Sequence, residues 1–169
     1  GYRAAYRAAH DVEAPIDRLA YCALIYVGDT PQQAQAGAEK VLWYMTSNKV
    51  PAHWSNPPGY HPPAVAAQIM QGARGGAGLP LVPRLAEQMA RGNVFAGTPD
   101  LVFDQIKSFW EYSGGFGHLL MMGQAGFMSY AETTTSMRLF AQEVAPRLQE
   151  LTASYDSERL RELRQRLPD

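Results

Sequence analysis

The sequence predicts a parallel α/β fold, and three observations predict it. Arg18 to Val27 (RLAYCALIYV) is nearly continuous apolar and rich in β-formers, as a strand covered on both faces must be. Val27-Gly28-Asp29-Thr30-Pro31 and Phe95-Ala96-Gly97-Thr98-Pro99 repeat one join: strand end, turn glycine, threonine N-cap, and proline at the first helical position. A third strand-sized apolar run, Gly117 to Gly123 (GHLLMMG), precedes another helical pattern, so the chain reads as three strand-then-helix units.

The elements follow in order. Residues 2 to 10 carry helix formers with Tyr2 and Tyr6 at an i,i+4 spacing, and they read as the tail of a helix ended by Pro15. The chain opens on Gly1 without a cap or a signal peptide's apolar stretch, so the native N-terminus is expected upstream. After the strand at 18–27, Thr30 and Gln33 form a capping box for a helix from about Pro31 to Met45.

Residues 48–80 (NKVPAHWSNPPGYHPP, later GARGGAGLP) are too dense in proline and glycine for long regular structure beyond a short turn around Val65 to Gln71. An inserted loop is expected there, ordered by Trp54 and Tyr60 near a pocket mouth. A helix over 82–91 then leads to a strand at 93–96.

The next helix starts at Pro99, buries Val102, Ile106 and Trp110, and stops at the glycine cap Ser113-Gly114-Gly115. Ser129-Tyr130-Ala131-Glu132 is a capping box for one long final helix with the inner stripe Met137, Phe140, Val144 and Leu148. A charged tail at 152–169, helical over 157–167, ends the chain, which is treated throughout as a single partial domain, 1–169.

Composition removes several classes of function. Fifteen basic against 16 acidic side chains, with no Lys/Arg block, argue against nucleic acid as a partner. No apolar run approaches the roughly 20 residues that cross a bilayer, so no membrane partner is expected. The single cysteine, Cys22, lies in an apolar run, which predicts a buried thiol and a reducing, cytoplasmic setting. His10, His53, His61 and His118 show no metal-ligand spacing, so no metal site is assigned, and His118 is expected at the stability face of the sheet. Tyr2, Tyr6, Trp43 and Trp110 read as helix packing rather than a base-stacking platform.

A (β/α)8 barrel takes about 250 residues and eight strands. Three units in 169 residues would therefore be its closing part, with about five units upstream.

From Phe95 to Leu148 the chain resembles the C-terminal part of the bacterial luciferase-like flavin-dependent monooxygenases. The residues that carry the likeness are Ala96-Gly97-Thr98-Pro99-Asp100 with Val102, then Gly114-Gly115-Phe116-Gly117 before Leu119-Leu120-Met121-Met122. Ser136-Met137-Arg138-Leu139-Phe140 and Glu143-Val144-Ala145-Pro146-Arg147-Leu148 complete them. The family pattern is a Gly-Thr/Ser-Pro-Glu/Asp turn, a glycine-led turn before the last strand, and a last helix with Ser-Met/Leu-x-Leu-Phe and Glu/Asp-Val-x-Pro-x-Leu. Arg18 to Ala36 resembles the preceding unit, so about two thirds of the chain is covered, and Ala145 departs from the methionine many members carry.

The resemblance implies a TIM-barrel fold in which the three strands are consecutive barrel strands, about six to eight, with the helices outside. It implies reduced FMN supplied by a flavin reductase, O2, and a small organic substrate that is oxygenated, in a homo- or heterodimeric parent. The deazaflavin F420 in a related oxidoreductase, and a non-catalytic partial-barrel partner subunit, are the alternatives. The protein would hold the ring in a dry, apolar barrel mouth.

Barrel sites lie at the C-terminal ends of strands, which makes Met121, Met122, Gly123, Gln124 and Phe127 the candidates to line a substrate or flavin pocket. The two methionines must point to opposite faces, and a Met pair on a buried strand is ordinary core packing as well. The turns before Thr30 and Thr98 suit a phosphate at a helix N-terminus, or simply helix caps. No catalytic residue is assigned, since the family's catalytic and phosphate groups lie mainly on earlier strands. An isolated fragment of this kind, with open sheet edges and an uncovered apolar face, is expected to fold poorly.

Overall fold

A computed structural model describes residues 1–46, 84–125, 127–155 and 157–166. The expected insertion at 48–80, with His53, Trp54, Tyr60 and His61, lies outside these described residues.

The elements are α1 (Tyr2–His10), a 3-10 turn (Ile16–Arg18), β1 (Ala20–Val27), α2 (Pro31–Thr46), α3 (Leu85–Ala90), β2 (Val94–Gly97) and α4 (Pro99–Ser113). After these come β3 (His118–Met122), α5 (Tyr130–Leu139), a π-helical turn (Phe140–Val144), α6 (Ala145–Ala153) and α7 (Ser157–Gln165). The three strands form one parallel sheet in the order β2-β1-β3.

β1 divides its two edges between its partners. Leu24 to Val27 pair with Val94 to Gly97 on one side, and Ala20 to Leu24 pair with His118 to Met122 on the other. The faces are equally divided. Leu24, Tyr26, Val94 and Ala96 pack with Ala38, Val41 and Leu42 of α2. Ala23, Ile25, Val27 and Phe95 pack with Val102 and Ile106 of α4 and with Leu139 and Val144. Burying each of the Val, Leu, Ile and Phe side chains among these stabilises the fold by roughly 1.5–3 kcal/mol.

This topology corrects one expectation. Consecutive barrel strands would place β2 in the middle with every helix on one side; instead β1 is central and α2 and α4 lie on opposite faces. The reason is length and direction. Only β1 is long and apolar enough to bond on both edges, and the step from β1 to β2 is reversed by the step from β2 past β1 to β3. Crossovers of a single hand then deliver their helices to opposite faces.

The outer edge of β2 is closed by a side chain. The Gln105 amide donates to Ala96 O (2.9 Å) and accepts from Ala96 N (3.0 Å), as a neighbouring strand would.

Three local expectations change. Cys22 is exposed, because α2 covers only the C-terminal half of its face and Leu120, its register partner on β3, is exposed too. Thr98 stands at the N-cap of α4 but its side chain makes no capping bond, whereas Thr30 Oγ1 accepts from Gln33 N at 3.3 Å. The final helix is not one regular α-helix. Pro146 has no N–H and its ring would meet the carbonyl four residues back, and the π turn just before it rotates the stripe so that Ser136, Leu139 and Val144 are buried while Met137 is exposed.

Other readings hold. α4 buries Val102, Ile106 and Trp110 and ends at Gly114 with φ 78°, a left-handed conformation that glycine adopts without strain. Arg147 ties α6 to α4 through Asp100 (2.7 Å) and the face of Phe103 (4.0 Å).

Replacing Gln105 with Leu leaves both Ala96 backbone groups without partners, at about 1–3 kcal/mol each. Urea unfolding of Gln105→Leu is expected to show this loss of stability.

Candidate functional site

All three strands run the same way, so their carboxyl ends meet at one edge of the sheet. Gly28 N donates to Gly97 O at 3.0 Å and joins the ends of β1 and β2. Val27 N, in the core, donates to Ser136 Oγ of α5 at 2.9 Å, and Ser136 is fully buried. A single serine hydroxyl thus closes the end of the central strand.

The capping box of α5 sets that serine in place. Ser129 N and Oγ donate to Glu132 Oε2 (2.8 and 2.9 Å), and Glu132 N donates back to Ser129 Oγ (3.2 Å). The other oxygen of Glu132 accepts from Lys40 Nζ of α2, which clamps α5 to α2. Lys40 first, and then the Ser129 bonds, lower the Glu132 carboxyl to about 2. Beneath this pair lies Tyr26, whose hydroxyl is pushed up by burial and then by the Glu132 charge.

The predicted site residues separate into two groups. Met121, in register with Ala23, joins the α4 face, and Met122, in register with Leu24, joins the α2 face, so the pair alternates as expected and both are half-buried core packing. Gly123 is buried, and a Cβ there would lie 2.7 Å from Met121 Cε. It serves close packing of the thioether.

Gln124 and Phe127 are exposed in the segment after β3, where the Phe127 ring meets Trp43, in the last turns of α2, edge-on at 5.7 Å. The sequence missed Ser136, Lys40 and Tyr26 as parts of this edge. Ser136 stands in a polar TTTS run whose composition says nothing of burial.

A flavin needs a wall for its ring and donors for its phosphate. Phe127, Trp43 and Met122 offer an apolar wall. The Val27 and Gly28 amides and the Lys40 ammonium, by contrast, are engaged within the chain. At this edge the apolar side chains suit a flat ring, and none of these three donors is free for a phosphate.

No family model and no curated protein matches the chain. Solved structures do. The monooxygenase RslO1 of Streptomyces bottropensis is 19% identical with a TM-score of 0.54, over 86% of this chain and 36% of its own. The oxygenating constituent of 3,6-diketocamphane monooxygenase from the CAM plasmid of Pseudomonas putida, a type II Baeyer–Villiger monooxygenase in complex with FMN, is 19% identical with a TM-score of 0.52. That match covers 85% of this chain and 37% of the solved one. The likeness is one of fold. The chain spans a little over a third of the length of either structure.

Ser136→Ala removes the one acceptor of the buried Val27 amide and is expected to cost about 1–3 kcal/mol, measured by thermal or urea unfolding. Because the Glu132 value lies below its ordinary 4.5, its stabilisation is complete above that pH and is lost as pH falls from 4.5 toward about 2. In Lys40→Gln, carboxyl NMR titration is expected to find the Glu132 midpoint moved up toward its ordinary value.

Proposed function

We propose that this chain is the C-terminal part of a luciferase-like, flavin-dependent monooxygenase that uses reduced FMN, delivered by a flavin reductase, and O2 to oxygenate a small organic substrate. The observation that carries this reading is the fold shared over 86% and 85% of the chain with two monooxygenases, one of them an FMN complex. The Gly-Thr-Pro-Asp turn, the glycine-led turn before β3 and the Ser136-to-Leu148 signature support it from the sequence.

Under this reading bound reduced FMN supplies the activation of O2. The share of the described residues is to exclude water and to present an apolar surface to the flat ring, with the exposed Phe127 and Gln124 of the segment after β3 offered to it. Phosphate contacts and proton transfer belong to other residues of the whole protein.

A second reading, a self-contained module without catalysis, is favoured by one feature: both sheet faces carry helices, and the β2 edge is sealed by Gln105.

One comparison separates the two. The product of the complete coding sequence is expected to bind FMN with saturation, seen as flavin fluorescence quenching and as FMN released on denaturation. Phe127→Ala is expected to weaken binding about three- to tenfold, the worth of one aromatic contact. A whole product that melts cooperatively yet binds no flavin sinks the monooxygenase reading and leaves the module.

A further inference from the structure

The opposite end of the sheet holds a cavity of about 390 Å³, bounded by α1, the start of β1 and the turn from α4 to β3. Its wall is aromatic. Tyr21, Phe109 and Phe116 all line it, with ring centroids 4.4 Å apart for Tyr21 and Phe109 and 5.7 Å for Tyr21 and Phe116. The Tyr21 hydroxyl donates to Gly92 O at 2.9 Å, so it is already satisfied.

Three arginines surround that wall: Arg3 and Arg7 of α1, and Arg164 of α7. Arg164 is the unusual one, with a side chain only 7% exposed. Its Nε donates to Gly114 O (2.9 Å) and its Nη1 to Ala14 O (2.6 Å), while its Nη2 is buried with no hydrogen-bond partner. Two carbonyls fix the guanidinium and one edge stays unmatched.

Among the described residues, Glu13 is the one carboxylate lining the cavity. Its Oε1 accepts from Arg7 Nε at 2.9 Å, and its Oε2, also without a hydrogen bond, lies 3.8 Å from Arg164 Nη1. Three guanidinium charges thus face one carboxylate over an apolar wall. A buried cation with an unfilled donor is costly, and a second anion would relieve it. Burial and then the Arg3 charge push the Arg164 guanidinium below its ordinary value, in keeping with that surplus.

We propose that this cavity is a binding site for a small organic anion, a carboxylate or phosphate carried on a flat apolar body. The head group would pair with Arg3, Arg7 and Arg164 while the body stacks on Tyr21, Phe109 and Phe116. The volume is within the range of small-molecule sites. The site lies away from the strands' carboxyl ends and stands whether or not the protein uses flavin.

The test is titration of the full chain with benzoate and phenyl phosphate, with benzyl alcohol as the neutral body and inorganic phosphate as the head group alone, followed by calorimetry and aromatic NMR shifts. Saturable binding of at least one aromatic anion is expected, with shifts at Tyr21, Phe109 and Phe116, and at least tenfold weaker binding of benzyl alcohol. Inorganic phosphate is expected to bind more weakly than phenyl phosphate, and equal binding of the two overturns the stacked body. Arg3→Gln combined with Arg7→Gln is expected to weaken the anion at least tenfold and leave benzyl alcohol unchanged. Arg3→Gln alone, which keeps the Arg7–Glu13 pair, should fall between. No saturation by either anion, equal binding of benzyl alcohol, or indifference of the folded variants to the lost charges overturns the proposal.

Discussion

The structure depends on β1 being buried on both faces and hydrogen-bonded on both edges. Ala23 to Val27 are all buried, and their side chains alternate between two separate cores. A parallel strand in that position leaves no face for water, so helices must cover both sides, and each crossover must be long enough to carry one. The placement of α2 on one face and of α4 with the α5 end on the other follows from that single demand. The short β2 and β3 are then partners that each satisfy half of β1's length.

The carboxyl end of β1 shows how the demand spreads to side chains. Val27 N is buried beyond the point where the ladder to β3 ends at Leu24, and the hydroxyl of Ser136 accepts the hydrogen bond that a longer β3 would have accepted. Holding Ser136 there fixes the rotation of α5. The same helix must also bury Val144 beside Ile106, which a regular α-helix ending at Pro146 would not do in that rotation. The π turn at Phe140–Val144 resolves the conflict by resetting the phase between the two buried stripes.

What the sequence made legible was local. The strand of β1, the Ser129–Glu132 box, the three buried positions of α4 and the Gly114 stop all depend on neighbours within a few residues and stand as read, while the Thr30 cap shows one bond of its expected box and β1 is buried only over its second half. The strand order was not legible, because the pairing of β1 with β3 joins segments about a hundred residues apart and nothing in either records which edge is free. The site residues divide the same way. The alternation of Met121 and Met122 is fixed by strand geometry, while Ser136 and the Lys40–Glu132 pair depend on how α5 lies across the sheet. Arg164 became visible only when the tail helix returned 150 residues to Ala14.

The two outer edges of the sheet are not equivalent, and this bears on how the fold relates to a closed barrel. At β2 the Gln105 amide occupies both backbone groups of Ala96, so another strand could pair there only by displacing it. At β3 no strand among the described residues adds to the outer edge, and the face beside it leaves Leu120 half exposed next to Cys22. Among the described residues β3 is thus the edge open to a further strand, whereas closing the sheet into a ring requires Gln105 to give up its bonds to β2. The state of the Ala96 amide in the whole protein thus reports directly on which architecture the chain adopts.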